Sequence, residues 1–212
     1  TLTLRDGVTW SDGQPFTSAD VLFSFQVIYD DKVNSLLASS LKIDGKTLRV
    51  TAPDPRTVVV TFPHTFGPGI ELLDNVQLAP KHTYEAALKN GTFGQQMGVS
   101  SAPADLVVIG PFMLSNYAAG QRLVFDRNPH YWGKDSAGVQ LPYLDQVVLE
   151  IVPDQNAELV RLQAGQIDTL QQQIRPEDIA TLKPIERQGK LRVIELGVGT
   201  DPDMFFFNLR DS

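Results

Sequence analysis

A mixed α/β fold of the α+β kind is what this sequence predicts, on three observations. Short runs of alternating or continuous apolar residues recur along the chain. Stretches with helical apolar spacing alternate with them, and Gly, Pro or Asp turn signals bound most of both kinds. Such alternation argues against a helix bundle or a sandwich. With 42% hydrophobic residues in 212, the chain can bury a substantial core.

Thr1 to Leu4 reads as a strand, and the turn signals Arg5-Asp-Gly7 and Ser11-Asp-Gly-Gln-Pro15 after it predict a hairpin-like pair. Thr17 is placed to cap a helix over Ser18 to Asp30, with Asp20 as the acid of a capping box. Strands are predicted over Thr47 to Thr51 and Thr57 to Phe62, with Pro53-Asp-Pro55 forcing the turn between them. Ile70 to Asn75 reads as a short helix, and Pro80 opens another running to Leu88. Asn90 to Pro103 is poor in large apolar groups and is the best internal boundary, dividing the chain near Asp105.

Beyond it, strands are expected at Phe112 to Ser115, Arg122 to Phe125 and Gln146 to Val152. Pro153-Asp154 opens a helix over Gln155 to Ala164 that Gly165 ends. A short strand at Ile167 to Leu170, a helix from Pro176 stopped by Pro184, and strands at Leu191 to Leu196 and Phe205 to Leu209 complete the series.

Composition removes several function classes. The chain has 25 acidic and 18 basic residues, a net charge of −7, and its basic residues are scattered, so nucleic acid is not expected as a partner. Zero cysteines excludes disulfides, thiolate metal sites and cysteine nucleophiles. No apolar run approaches the ~18–20 residues of a membrane span. His64, His82 and His130 show no metal-ligand spacing, and Gly197-Val-Gly199 lacks the rest of a dinucleotide loop, so neither metal nor cofactor is expected.

Four blocks in fixed order cover most of the chain: Leu4 to Phe25; Ala52-Pro-Asp-Pro-Arg-Thr-Val58 with Leu78-Ala-Pro-Lys-His82; Gly110-Pro-Phe112 with Gly120 to Gly133; and Pro142-Tyr-Leu-Asp145 through Asp168. They resemble the extracellular solute-binding proteins of family 5, the oligopeptide, dipeptide and nickel receptors of ABC importers. Ile109 stands where the family commonly has Thr, and Gln166 where it often has Glu.

The resemblance implies a class II periplasmic-binding-protein-like fold of two lobes that close on a ligand. Residues 1–105 would be the extra domain of the first lobe and 106–212 part of its ligand-binding domain, with the second lobe expected after Ser212. The implied function is binding a solute, most often a peptide, for delivery to an ABC permease, by a monomer with no catalytic role. The implied location is periplasmic or extracellular, with a signal segment or lipid anchor upstream of Thr1. A cytosolic ligand-sensing regulator and a hydrolase are the alternatives.

The resemblance also places Asp203, Met204, Phe205 and Phe206 near the ligand. Strand alternation puts Met204 and Phe206 on one face and Phe205 on the other, and a buried core strand is the plainer reading. Trp10 with Asp6 and Asp12, and the run Asn128-Pro-His-Tyr-Trp132, could each be drawn as an aromatic site. Packing in the core and anchoring of a loop account for them more simply. Ser11-Asp12-Gly13 and Asp154 suit turns and caps, with no nucleophile context around them.

Overall fold

In a computed structural model the described residues are 1–98, 100–170, 174–195 and 197. The chain forms two compact units, Thr1–Ile151 and Val152–Ser212. In order, the first contains β1 (Leu2–Thr3), α1 (Ser18–Tyr29), α2 (Leu37–Ser40), β2 (Lys42–Ile43), β3 (Lys46–Thr47), β4 (Arg49–Asp54), β5 (Thr57–Thr61), α3 (Gly69–Leu73), α4 (Lys81–Asn90), α5 (Phe93–Gln96), a 3-10 turn (Pro103–Asp105), β6 (Phe112–Ala118), β7 (Arg122–Arg127) and β8 (Gln146–Glu150). The second contains α6 (Gln155–Gln163) and α7 (Pro176–Arg187).

In the first unit, α1 organises the core. Its residues Val21 and Phe25, one turn apart, join Ile43, Leu48 and Val58 in one buried cluster. Phe23 and Val27, again one turn apart, join Ala79, Tyr84 and Phe93 in another. The helix therefore lies between the antiparallel sheet β1-β5-β4 and α4, contacting β4, β5 and α4. Two hydroxyls on α1 tie it to its neighbours. Ser24 Oγ donates to Asp20 O (2.7 Å) and accepts from Ala79 N–H (2.9 Å). Tyr29 Oη donates to Leu41 O (2.8 Å) and accepts from Leu48 N–H (3.2 Å), and burial pushes its pKa up.

Several expectations are corrected. β1 does not form a hairpin with its neighbour in sequence; Leu2 and Thr3 pair with Val58 and Thr57, and the turns after it close on the Thr9–Pro15 bridge. β4 runs on through Pro53 to Asp54, because it is an edge strand and its register shifts between Thr51 and Asp54, where a missing N–H removes no ladder bond. Asn90 to Pro103 carries structure of its own, including α5. Gly91, at φ 71°, ends α4, and Phe93 returns to the core edge-on to Tyr84 at 5.6 Å.

Across Asp105, Ser11 N–H donates to Val108 O (2.8 Å) and Val108 N–H to Ser11 Oγ (3.0 Å).

β6, β7 and β8 form a second antiparallel sheet in the first unit, with β7 central. Buried Asn128 ties the loop after β7 to the entry of β6. Its Nδ2 donates to Gly110 O (2.8 Å), its N–H donates to Pro111 O (2.9 Å), and its Oδ1 accepts from His130 N–H (2.9 Å).

In the second unit, Asp154 caps α6 by accepting from Asn156 N–H (3.1 Å), and Gly165 takes φ 68° after it. Helix α7 continues past Pro184 to Arg187, where a stop was expected. Both Pro184 and Ala180, whose carbonyl loses its partner, are exposed, so water can replace the missing bond. Ile167–Leu170 forms no strand among the described residues. Residues 191–195 show no ladder either, and Val193 N–H donates to Glu186 Oε1 (2.8 Å), tying this stretch to α7. The strand expected at Phe205 to Leu209 lies outside the described residues.

Candidate functional site

An open depression of about 370 Å³ lies where the N-termini of α1 and α4 converge. Asp20 makes that convergence. Its carboxylate accepts from Thr17 N–H (2.8 Å) and Thr17 Oγ1 (3.3 Å) at the start of its own helix, and from Lys81 N–H (2.9 Å) at the start of α4. The capping acid read from the sequence thus serves two helix starts. The second could not be seen in sequence, because 61 positions separate its partners.

Gln14, Thr17, Lys81, His82 and Glu85 surround Asp20 on the wall of the depression. At its margin His82 Nε2 lies 2.7 Å from Asp12 Oδ2, while Asp12 Oδ1 accepts from Gln14 N–H (3.0 Å). Partial burial pulls the Asp12 carboxyl up, but the His82 hydrogen bond, the Gln14 amide and the attraction of the imidazole outweigh it, and the net is below the ordinary carboxylate value. Glu85 is engaged by Lys89 (3.0 Å), whose hydrogen bond depresses the Glu85 pKa.

This wall mixes both signs of charge around one carboxylate already occupied by backbone amides. It is built for holding helices and has no nucleophile with a base. The Ser11 hydroxyl accepts from Val108 N–H, and His82 is bonded to Asp12. Asp154 is occupied as a cap. Among the described residues no group of three or more His, Cys, Asp or Glu could hold a metal ion.

Trp10 is fully buried and packs edge-on against Phe16 (5.8 Å, 79°), as the core reading expected. Trp132 instead lies part-exposed under the Arg5 guanidinium, 4.4 Å from its ring centroid. The loop carrying it is held by Asp135, whose carboxylate accepts from Ala137 N–H (2.9 Å), Val139 N–H (2.8 Å) and Tyr143 Oη (2.5 Å). Gln140 Nε2 donates to the carbonyls of Tyr131 and Gly133. The loop-anchoring reading of Asn128 to Trp132 fits this geometry. Asp203, Met204, Phe205 and Phe206, the residues expected near a ligand, lie outside the described residues.

Comparison with known proteins bears on the whole chain. The sequence model for the bacterial extracellular solute-binding proteins, family 5 Middle, matches residues 1–212. A Deinococcus radiodurans protein named "Probable ABC transporter-binding protein" is 33% identical over an alignment of 221 positions that covers 100% of this chain and 37% of that protein. The crystal structure of the ABC transporter substrate-binding protein CtaP from Listeria monocytogenes superposes with a TM-score of 0.65 at 30% identity, covering 86% of this chain and 34% of that one. The periplasmic murein tripeptide-binding protein MppA, in an unliganded open form, gives a TM-score of 0.69 at 26% identity, covering 87% of this chain and 36% of that one. The chain thus spans about a third of the length of the proteins it matches.

Proposed function

This chain belongs to the bacterial extracellular solute-binding proteins of family 5, and from that membership we propose that it is part of an exported receptor that binds a peptide and hands it to an ABC permease. The observation that carries this is the family match across all 212 residues. One relative is named a probable ABC transporter-binding protein and a structural relative a murein tripeptide-binding protein, which favours the receptor over the regulator and the hydrolase. The family is one of binding proteins, extracellular in its description. No helix among the described residues is long and apolar enough to cross a membrane, and a lipid anchor upstream of Thr1 would hold the protein at the cell surface.

Within this proposal residues 1–105 are the extra domain and 106–212 part of a ligand-binding domain, completed by a second lobe. The mechanism is a shift between open and closed populations: a ligand touching both lobes favours the closed form, and that form docks on the permease. Backbone groups would hold an extended peptide as an added strand, while roomy, hydrated pockets accept varied side chains. Asp203, Met204, Phe205 and Phe206 are proposed to lie beside the ligand. A monomer suffices for this, and no cofactor enters it.

Titration calorimetry with a pool of di- to pentapeptides, on the full-length protein and on residues 1–212, tests the proposal. Tight binding by the full-length protein and a loss of most of that affinity by 1–212 are expected, because half the contacts and the enclosure are gone. Equal affinity for both would overturn the two-lobe mechanism, and no binding of any peptide by the full-length protein would overturn the peptide assignment.

A further inference from the structure

Two of the three histidines, 48 positions apart in sequence (130 − 82), meet at one turn. His82, in the first turn of α4, bonds to Asp12 at 2.7 Å. His130, in the loop after β7, lies against Gly13, where a Cβ would come within 3.6 Å of its ring. The same turn holds the segment that enters β6 through two reciprocal hydrogen bonds between Ser11 and Val108 (2.8 and 3.0 Å). Gly13 closes the turn at φ 82°, with its N–H on Trp10 O (2.9 Å).

We propose that the turn from Ser11 to Gln14 is a pH-responsive latch: the Asp12–His82 pair holds it against α4, and through Ser11 it fastens the segment at Val108 that leads into the second sheet. Histidine is the side chain that changes charge between about pH 5 and 8. When His82 is protonated, the pair is a charge-assisted bond between opposite charges. When it is neutral, only a weaker hydrogen bond to a carboxylate is left. Asp12 stays ionised through that window, since its carboxyl sits below the ordinary value of 3.8. The latch is therefore tighter on the acid side of the window and looser on the alkaline side.

The other charged groups facing His82 do not compete for it. Glu85 is bonded to Lys89 at 3.0 Å and lies 3.9 Å from Lys81, and Asp20 is filled by the amides of Thr17 and Lys81. Both Asp12 and His82 side chains are about one-third exposed (34% and 36%), which lets protons reach the pair and limits its strength. The geometry is independent of the receptor assignment, and a protein exposed to the surroundings of the cell would experience such pH changes.

Hydrogen exchange resolved to single amides tests the latch on the protein at about pH 5 and pH 8, with rates divided by intrinsic rates. The Val108 and Gln14 amides are expected to lose about threefold to fivefold in protection on the alkaline side, while the Val58 amide in the central strand does not change. His82→Gln is expected to flatten that dependence and His130→Gln to leave it intact. A flat profile in the wild-type protein, an unchanged profile in His82→Gln, or a profile flattened only by His130→Gln would overturn the proposal. Should His82→Gln lower protection at Val58, indicating global unfolding, Asp12→Asn supplies the same comparison. The midpoint of the wild-type change must also match the His82 ring titration followed by NMR, and a mismatch overturns the latch.

Discussion

Replacing Asp20 by Ala would uncap two helices at once. The side chain is almost fully buried, at 4% exposure for the residue, and its two oxygens accept separate backbone amides, Thr17 N–H at 2.8 Å and Lys81 N–H at 2.9 Å. Loss of an ordinary N-cap costs about 1 kcal/mol, and a hydrogen bond to a charged group about 1.5–3 kcal/mol. Water can reach the neighbouring depression and rehydrate part of what is exposed. The expected cost of Asp20→Ala is therefore about 3–4 kcal/mol, below the sum of two full bonds. Asp20→Asn keeps one acceptor oxygen, so its cost is about half that, or about 1.5–2 kcal/mol. Urea denaturation followed by circular dichroism measures both, with a slope of about 1–3 kcal/mol/M for a domain of ordinary size. A loss under about 1 kcal/mol for Asp20→Ala, or equal losses for Ala and Asn, would refute the idea that one carboxylate anchors two helix starts.

Other outcomes follow from single contacts. Trp10→Ala should cost about 3–5 kcal/mol in the same denaturation assay, since it empties a fully buried aromatic site. Tyr29→Phe should cost about 1–2 kcal/mol, as it strands Leu41 O and Leu48 N–H around a half-buried ring. Acid should loosen the loop around Asp135. The Tyr143 hydroxyl and the amides of Val139 and Ala137 hold its carboxyl below the ordinary value of 3.8, so its contribution is complete above that value and is lost as pH falls through the lower folded value. Exchange of the Val139 amide should accelerate, after correction for intrinsic rates, at acid pH in the wild type and show no such step in Asp135→Asn. Gly133→Ala should disturb the same loop by driving a Cβ into the Tyr131 ring, and a shift in tryptophan fluorescence from neighbouring Trp132 would report it.

Much of the local structure was legible because its causes are local. Thr17 and Asp20 mark the start of α1, Asp154 and Gly165 bracket α6, and the β-branched run Val58, Val59 and Val60 marks a strand. One local signal went unread: Asp44-Gly45, with φ of 49° and 74°, is the two-residue turn joining β2 and β3, and that dipeptide is a hairpin signature. The misreadings at Pro53 and Pro184 share another cause. Proline was taken as a stop, yet one sits at a register shift in an edge strand and the other on an exposed helix face, where the lost bond falls to water or to no partner. For the site, the family blocks pointed beyond the described residues, to Asp203 through Phe206, while the His82–Asp12 and Asp20–Lys81 contacts carried no sequence signal.

By itself the sequence determined the class of fold, the membership of a binding-protein family and most helix and strand positions, because capping, periodicity and block order act over a few residues or along a line. Which strand joins Leu2, which helix start Asp20 also holds, and that two distant histidines share one turn were decided only by the tertiary structure. Those contacts join positions far apart in the chain, 61 residues for Asp20 and Lys81. Over such distances loop closure brings segments together only when the buried core compensates the lost chain entropy, and no short pattern records the outcome.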